Sequence, residues 1–247
     1  REWEELPDAP AIQSMCARTG EVGGDGVIFF RPVSEIDASG RAAEWEMDYL
    51  NADGSRSFCG NGSRALFAFL VECGWMPSTG GILHACDGEH AVRWHEQLGE
   101  PGVQMRSIDR PRRVSSQISD STAHYVDTGS PHHIEWIESG LEVLDVADLG
   151  RCIRTSEVYA PAGTNVDFVE ISDDETLRMR TFERGVEAET KACGTGATAA
   201  ALADFVERGG KSQRRIEMSG GTLHVDLGES SREDDEFNGV WLFGAAR

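Results

Sequence analysis

Apolar and polar positions alternate in short runs along most of the chain, and two longer apolar stretches interrupt them. Residues 27–30 and 45–50 read as strands, because β-branched and aromatic side chains suit a half-buried pleated surface. The second run meets Asn51-Ala52-Asp53-Gly54, residue types that favour a turn. Residues 63–71, Ser-Arg-Ala-Leu-Phe-Ala-Phe-Leu-Val, are too uniformly apolar for a surface helix. They predict a buried helix from about Gly62 to near Gly74, with Pro77 as a stop signal beyond it. Alternation over 91–95 and 103–106 predicts two half-buried strands. A basic, serine-rich stretch over 110–119 has no periodicity and reads as a linker. The pattern then restarts, with strands at 124–126, 133–137, 166–171 and 177–182. A second apolar helix over about 197–207 follows, and strands at 215–218, 222–227 and 240–243 close the chain.

Both predicted helices open the same way. Cys59-Gly-Asn-Gly precedes the first and Cys193-Gly-Thr-Gly the second. A glycine-rich turn feeding a helix leaves N–H groups unpaired at the positive end of the helix dipole, a setting that binds carboxylate or phosphate. The same setting lowers a thiol pKa from about 8.5 to roughly 3.5–7.5, and that lowering is expected of both cysteines. Two such thiols facing one bound acid make a proton-transfer pair. The repeat is too long for a solenoid and indicates a duplicated domain. With 247 residues, the division is a first domain over 1–112 holding Cys59 and a second over 113–247 holding Cys193.

Composition narrows the class further. A hydrophobic content of 39% is enough for packed cores, so disorder is excluded. The net charge of −20, with Lys191 and Lys211 as the only lysines, points to a protein adapted to high salt, the alternative being a GC-rich genome that favours arginine codons together with an acidic surface. Screening there removes the self-repulsion of dense carboxylates. Such a field opposes nucleic acid and anionic membranes. The six cysteines form no C-x-x-C pair or zinc pattern, so free thiols, a reducing cytoplasmic setting and no metal are expected. No apolar run approaches a membrane span.

Four blocks carry a resemblance. Asn51-Ala-Asp-Gly-Ser ahead of Cys59-Gly-Asn-Gly, and Glu183-Arg-Gly-Val ahead of Cys193-Gly-Thr-Gly, resemble the two active-site motifs of the diaminopimelate epimerase family. Gly129-Ser130-Pro131-His132 resembles the family's Gly-Asn-Pro-His, and Gly24-Asp25-Gly26 its early glycine-aspartate turn. The resemblance implies an α+β fold of two pseudo-symmetric domains, each a mostly antiparallel sheet or barrel around a central helix. The extreme C-terminus would return to the first domain. It implies a homodimer and a cofactor-independent isomerase converting LL- to meso-diaminopimelate on the route to lysine and peptidoglycan precursors. Family members also carry a first strand with a Gly-Asn-Asp-Phe signature and a further final strand, so this sequence is expected to be incomplete at both ends.

Inverting a carbon α to a carboxylate without a cofactor needs one group to remove a proton and another to return one. Cys59 and Cys193 take these roles, each thiolate in one direction and thiol in the other. The resemblance implies that Cys59 acts on the L-configured centre and Cys193 on the D-configured one. Backbone N–H groups of Gly60, Asn61, Gly194 and Thr195 are placed to meet the charge that develops on the substrate carboxylate. His132 and Glu183 resemble the family pair that tunes the thiols, although alone they read as a turn residue and a solvated strand end. Asn51, Asn165 and Arg184 resemble the residues that hold the distal amino-acid end, and Ser130 stands where many members have a substrate-contacting asparagine. Lys191 reads as a solvated charge. Two other readings use the same turns: a proline or hydroxyproline racemase type, and a non-catalytic small-acid binding or thiol redox protein.

Overall fold

The computed structural model describes residues 6–17, 19, 23–33, 35–38, 40–172 and 176–246. The chain forms two compact units, one of Arg1–Val103 with Ala246–Arg247, the other of Gln104–Ala245.

The first unit begins with helix α1 (Ala9–Cys16), capped by Asp8, whose carboxylate accepts the Ala11 N–H. Strands β1 (Gly26–Pro32) and β2 (Glu44–Asn51) pair antiparallel, Gly26 opposite Asn51. Ile12 and Cys16 of α1 pack on Leu50, Val27 and Phe29, which anchors the short helix to this hairpin. Helix α2 (Gly60–Glu72) then carries the chain to β3 (Gly81–Ala85), parallel to β2. Strands β4 (Gly88–His95) and β5 (Glu100–Gln104) follow, each antiparallel to its predecessor. Leu66, Phe67 and Leu70 of α2 are buried, and Phe67 lies against Trp94 of β4. The early part of the 103–106 expectation is met by β5, which ends at Gln104.

In the second unit β6 (Ile108–Asp109) leads to β7 (Arg112–Ser115), where the sequence suggested a linker. Register with β8 (Thr122–Asp127) explains the difference: Arg112 to Ser115 pair with Tyr125 to Thr122, and the serine-rich segment is the hairpin turn between them. Serine hydroxyls close that turn through Ser116 and Ser119, a local chemistry that hydrophobic periodicity does not register. Strand β9 (Pro131–Ile137) completes a hairpin with β8. Helix α3 (Val146–Arg154), capped by Asp145, crosses to β10 (Asn165–Ile171), parallel to β9 with Asn165 opposite His132. Strand β11 (Thr176–Glu183) pairs with β10 and with the short β12 (Ala188–Thr190). Helix α4 (Gly194–Arg208) follows, and β13 (Gln213–Met218), parallel to β11, precedes β14 (Gly221–Asp226). Strand β15 (Glu236–Phe237) pairs with β6, and β16 (Trp241–Phe243) with β14.

Duplication is visible in the strand path. In the first unit β1-β2-β3-β4-β5 pair antiparallel, parallel, antiparallel, antiparallel, with α2 in the parallel crossover. In the second, β10-β11-β13-β14-β16 repeat that succession, with α4 in the parallel crossover. Helix α4 is almost wholly buried, and Ala197, Ala199, Ala200, Ala201 and Ala203 let strands approach it closely. It packs against β8, β9, β10, β11, β13 and β14. This is a sheet wrapped around a central helix, as expected. The sequence pattern did not show α1, α3 or β3, which are short or carry few apolar positions.

Candidate active site

Each unit places its cysteine at the N-cap of its buried helix, in extended backbone conformation. In the first unit Cys59 Sγ accepts the Gly62 N–H at 3.3 Å and is also approached by the Asn61 N–H. The Tyr49 hydroxyl hydrogen-bonds the same sulfur. Glycine at 62 permits this closeness, since a Cβ there would lie 3.2 Å from Tyr49 Cδ2 and 3.3 Å from Ile28 Cδ1. Arg64, buried one turn into α2, donates to Gly60 O at 3.2 Å and to Asn61 Oδ1 at 3.4 Å. Desolvation pulls its guanidinium down to about 10, although Cys59 and Glu100 oppose the shift. Asn51 sits at the end of β2 with its amide nitrogen donating to Ser55 and Ser57, so it ties together the loop that leads to Cys59.

The second unit gathers more of the expected residues. Cys193 Sγ lies 3.4 Å from Thr195 Oγ1 and is approached by the Gly196 N–H. His132, fully buried, sets Nδ1 2.7 Å from Asp167 Oδ2, and its Nε2 lies 3.0 Å from both Thr195 Oγ1 and Ser130 Oγ. Asn165 donates to Ser130 Oγ at 3.1 Å and to Pro131 O at 2.9 Å, while its Oδ1 accepts the Arg184 N–H at 2.9 Å. Glu183 accepts from the Thr190 hydroxyl and hydrogen-bonds Cys193. Cys193, Thr195, His132, Ser130, Asn165 and Glu183 therefore form one connected cluster, with Gly194 in the same turn. Arg184 joins through its backbone, and its guanidinium reaches Ala162 O and Gly163 O at 3.5 Å. Lys191 is exposed beside the turn.

The thiols depart from the sequence expectation. Burial pushes Cys59 above its ordinary value, against the opposing Gly62 N–H, Tyr49 hydroxyl, Asn61 N–H and Arg64 charge. Cys193 is raised well above its ordinary value, first by burial and then by the charges of Glu183 and Asp167. Desolvation penalises a buried thiolate more than a few helix N–H groups repay. Burial likewise raises the Glu183 carboxyl.

Sequence reasoning missed Asp167, Thr181, Tyr49 and Arg64. Asp167 had a signal: it stands inside β10, where Asn165 through Val169 are all buried, and a carboxylate in such a strand requires a partner. Arg64 was the one charge in an apolar helical run. Tyr49 gave none, because a tyrosine in a half-buried strand needs no special reason.

Among solved structures, a phenazine biosynthesis protein of the PhzF family from Bacillus anthracis superposes with a TM-score of 0.68, at 16% identity over 97% of this chain and 86% of that one. A probable proline racemase from Agrobacterium radiobacter gives 0.64, at 16% identity over 95% and 77%. These likenesses define the fold class shared by the two. Residues 124–238 match the family model described as Diaminopimelate epimerase. The diaminopimelate epimerase of Chlorobaculum tepidum is 37% identical over 96% of this chain and 87% of its own length, and that of Flavobacterium psychrophilum 34% over 95% and 85%. The chain belongs to the diaminopimelate epimerase family and is an isomerase of that class. No helix among the described residues is long and apolar enough to cross a membrane.

Proposed function

We propose that the protein interconverts LL- and meso-diaminopimelate without a cofactor, one of Cys59 and Cys193 taking the α-proton while the other returns one. The observation that carries this reading is the duplicated N-cap: each buried helix opens on a cysteine whose sulfur is approached by its own first turn, through the Gly62 and Asn61 N–H groups at Cys59 and the Gly196 N–H at Cys193. The first-turn N–H groups of Gly60, Asn61, Gly194 and Thr195 stabilise the charge that develops on the α-carboxylate as the proton leaves. Both thiols rest protonated. A bound substrate ammonium adds the positive charge that favours ionisation, and Glu183 is the carboxyl suited to receive it. His132 holds and passes the proton of Cys193. Arg184 recognises the distal amino-acid end, with Asn165 fixing its backbone and Asn51 shaping the loop before Cys59.

The curated relatives favour this substrate over that of a proline-type racemase, with which the chain shares a fold. We place the reaction in the cytoplasm, on the route to lysine and cell-wall precursors, in a homodimeric protein suited to high salt. In deuterated water at molar salt, the reduced protein is expected to introduce deuterium at one α-carbon of LL-diaminopimelate. Cys59→Ser and Cys193→Ser should each abolish turnover while ligand still binds. Absence of exchange in the reduced wild type at any salt concentration refutes the reading.

A further inference from the structure

Asp167 is a buried carboxylate that the two-thiol chemistry does not itself require. Its Oδ2 lies 2.7 Å from His132 Nδ1, and its Oδ1 accepts the Thr181 hydroxyl at 2.7 Å. Both His132 and Asp167 are fully buried. The first turn of α4 is shaped around this carboxylate: a Cβ on Gly196 would lie 2.5 Å from Asp167 Oδ1. A carboxylate at hydrogen-bond distance accepts from Nδ1–H and so holds the proton on that nitrogen, which leaves Nε2 as an acceptor. Two hydroxyls stand 3.0 Å from that nitrogen. Ser130 Oγ already accepts from Asn165 Nδ2. Thr195 Oγ1 also lies 3.4 Å from Cys193 Sγ.

We propose that Asp167 is a positioning residue that fixes the His132 tautomer, and that the Thr195 hydroxyl bridges Cys193 to His132 as a proton relay. This rests on the epimerase reading above. In the relay the Cys193 S–H bond breaks as Thr195 Oγ1 gains that proton, and the Thr195 O–H bond breaks as His132 Nε2 gains one. The products are a thiolate at Cys193 and an imidazolium at His132, and the reverse step restores both. With the imidazolium against Asp167, these two groups sum to zero charge, so the thiolate forms beside a neutral pair rather than a bare carboxylate. Glu183 is the competing acceptor, since it too hydrogen-bonds Cys193. The relay gives Thr195 a side-chain role beside that of its backbone N–H.

The test combines ¹⁵N NMR of the His132 ring with site-resolved alkylation of Cys193 by iodoacetamide across pH. The wild type should show the Nδ1–H tautomer. In Asp167→Asn, the Thr181 hydroxyl holds the amide oxygen, the amide N–H faces Nδ1, and the ring should switch to Nε2–H. Turnover in this variant should fall on the order of a hundredfold, with little change in KM. Thr195→Val should shift the pH profile of Cys193 alkylation, and Thr195→Ser should recover most of the loss. An unchanged tautomer in folded Asp167→Asn overturns the proposal. So does a Thr195→Val profile identical to wild type while Glu183→Gln moves it, which would assign the proton to Glu183. If Asp167→Asn does not fold, the Thr195→Val and Thr195→Ser pair decides. The tautomer and the alkylation profile are read without substrate, so failure of the wild type to exchange deuterium bears on the epimerase reading and leaves these results interpretable.

Discussion

Adjacent histidines in β9 show what a single position can reveal. His132 bonds Asp167, Ser130 and Thr195, whereas His133 bonds Tyr159 at 2.5 Å and Glu135 at 2.8 Å. Successive strand residues point to opposite faces, so one of the two had to meet α4. Which one was legible only through the Ser-Pro-His motif, because alternation gives two equal choices until register is known. The cysteines were legible from their turns, but their acidity was not, since burial depends on the whole unit rather than on local sequence. This carries a consequence for alkaline stability. Both thiols are raised above their ordinary value. A raised group contributes stability that is complete below the unfolded pKa and is lost as pH rises through the folded one. In urea melts between about pH 8 and about pH 10, the wild type should lose stability more steeply than the Cys59→Ala/Cys193→Ala double variant. Parallel losses would mean that neither thiol is held up by the fold.

Among the elements, both buried helices were found by their long apolar runs, and most strands by alternation. The missed pieces share a cause: α1 and α3 are little more than two turns long and are anchored by neighbours rather than by a long apolar stripe. The end of α4 is held by a buried ionic cluster that no pattern predicts. Asp204 accepts from Arg214 Nε and from Arg208 Nε, each at 2.5 Å, and Arg214 also donates to the Gly209, Lys211 and Gln213 carbonyls. Arg214 and Asp204 are nearly inaccessible. Removing Arg214 takes away the buried counter-charge of Asp204 and leaves only the partly exposed Arg208 beside it, so Arg214→Met should cost about 3 kcal/mol in urea unfolding. The double variant Arg214→Met/Asp204→Leu should cost much less than the two single losses added together. Simple additivity would show that the cluster does not act as a unit.

For the molecule as a whole, the fold class and the duplicated path followed from two repeated turns and a resemblance, and composition added a separate forecast. A chain of net charge −20 with two lysines repels itself wherever screening is weak. Raising salt from about 0.1 M to about 1 M shortens the screening length from about 10 Å to about 3 Å. The thermal midpoint should climb over that range, followed by circular dichroism. A flat or falling midpoint would reduce the acidic bias to surface composition alone. Local patterning did not disclose how charges are distributed: arginines such as Arg113, Arg178 and Arg180 are paired with Glu207, Glu170 and Glu189.

The repeated strand path has a further consequence. Tyr49 and Glu183 stand at matching places, each ten positions ahead of its cysteine, on β2 and β11, the strands from which the two parallel crossovers set out. Each hydrogen-bonds that cysteine's sulfur. One copy offers a phenol and the other a carboxyl. The scaffold thus fixes where a thiol sits and, by burying it, raises its pKa, while one interchangeable neighbour adjusts that shift. The neighbour of each thiol can therefore change without rebuilding the frame that holds the sulfur.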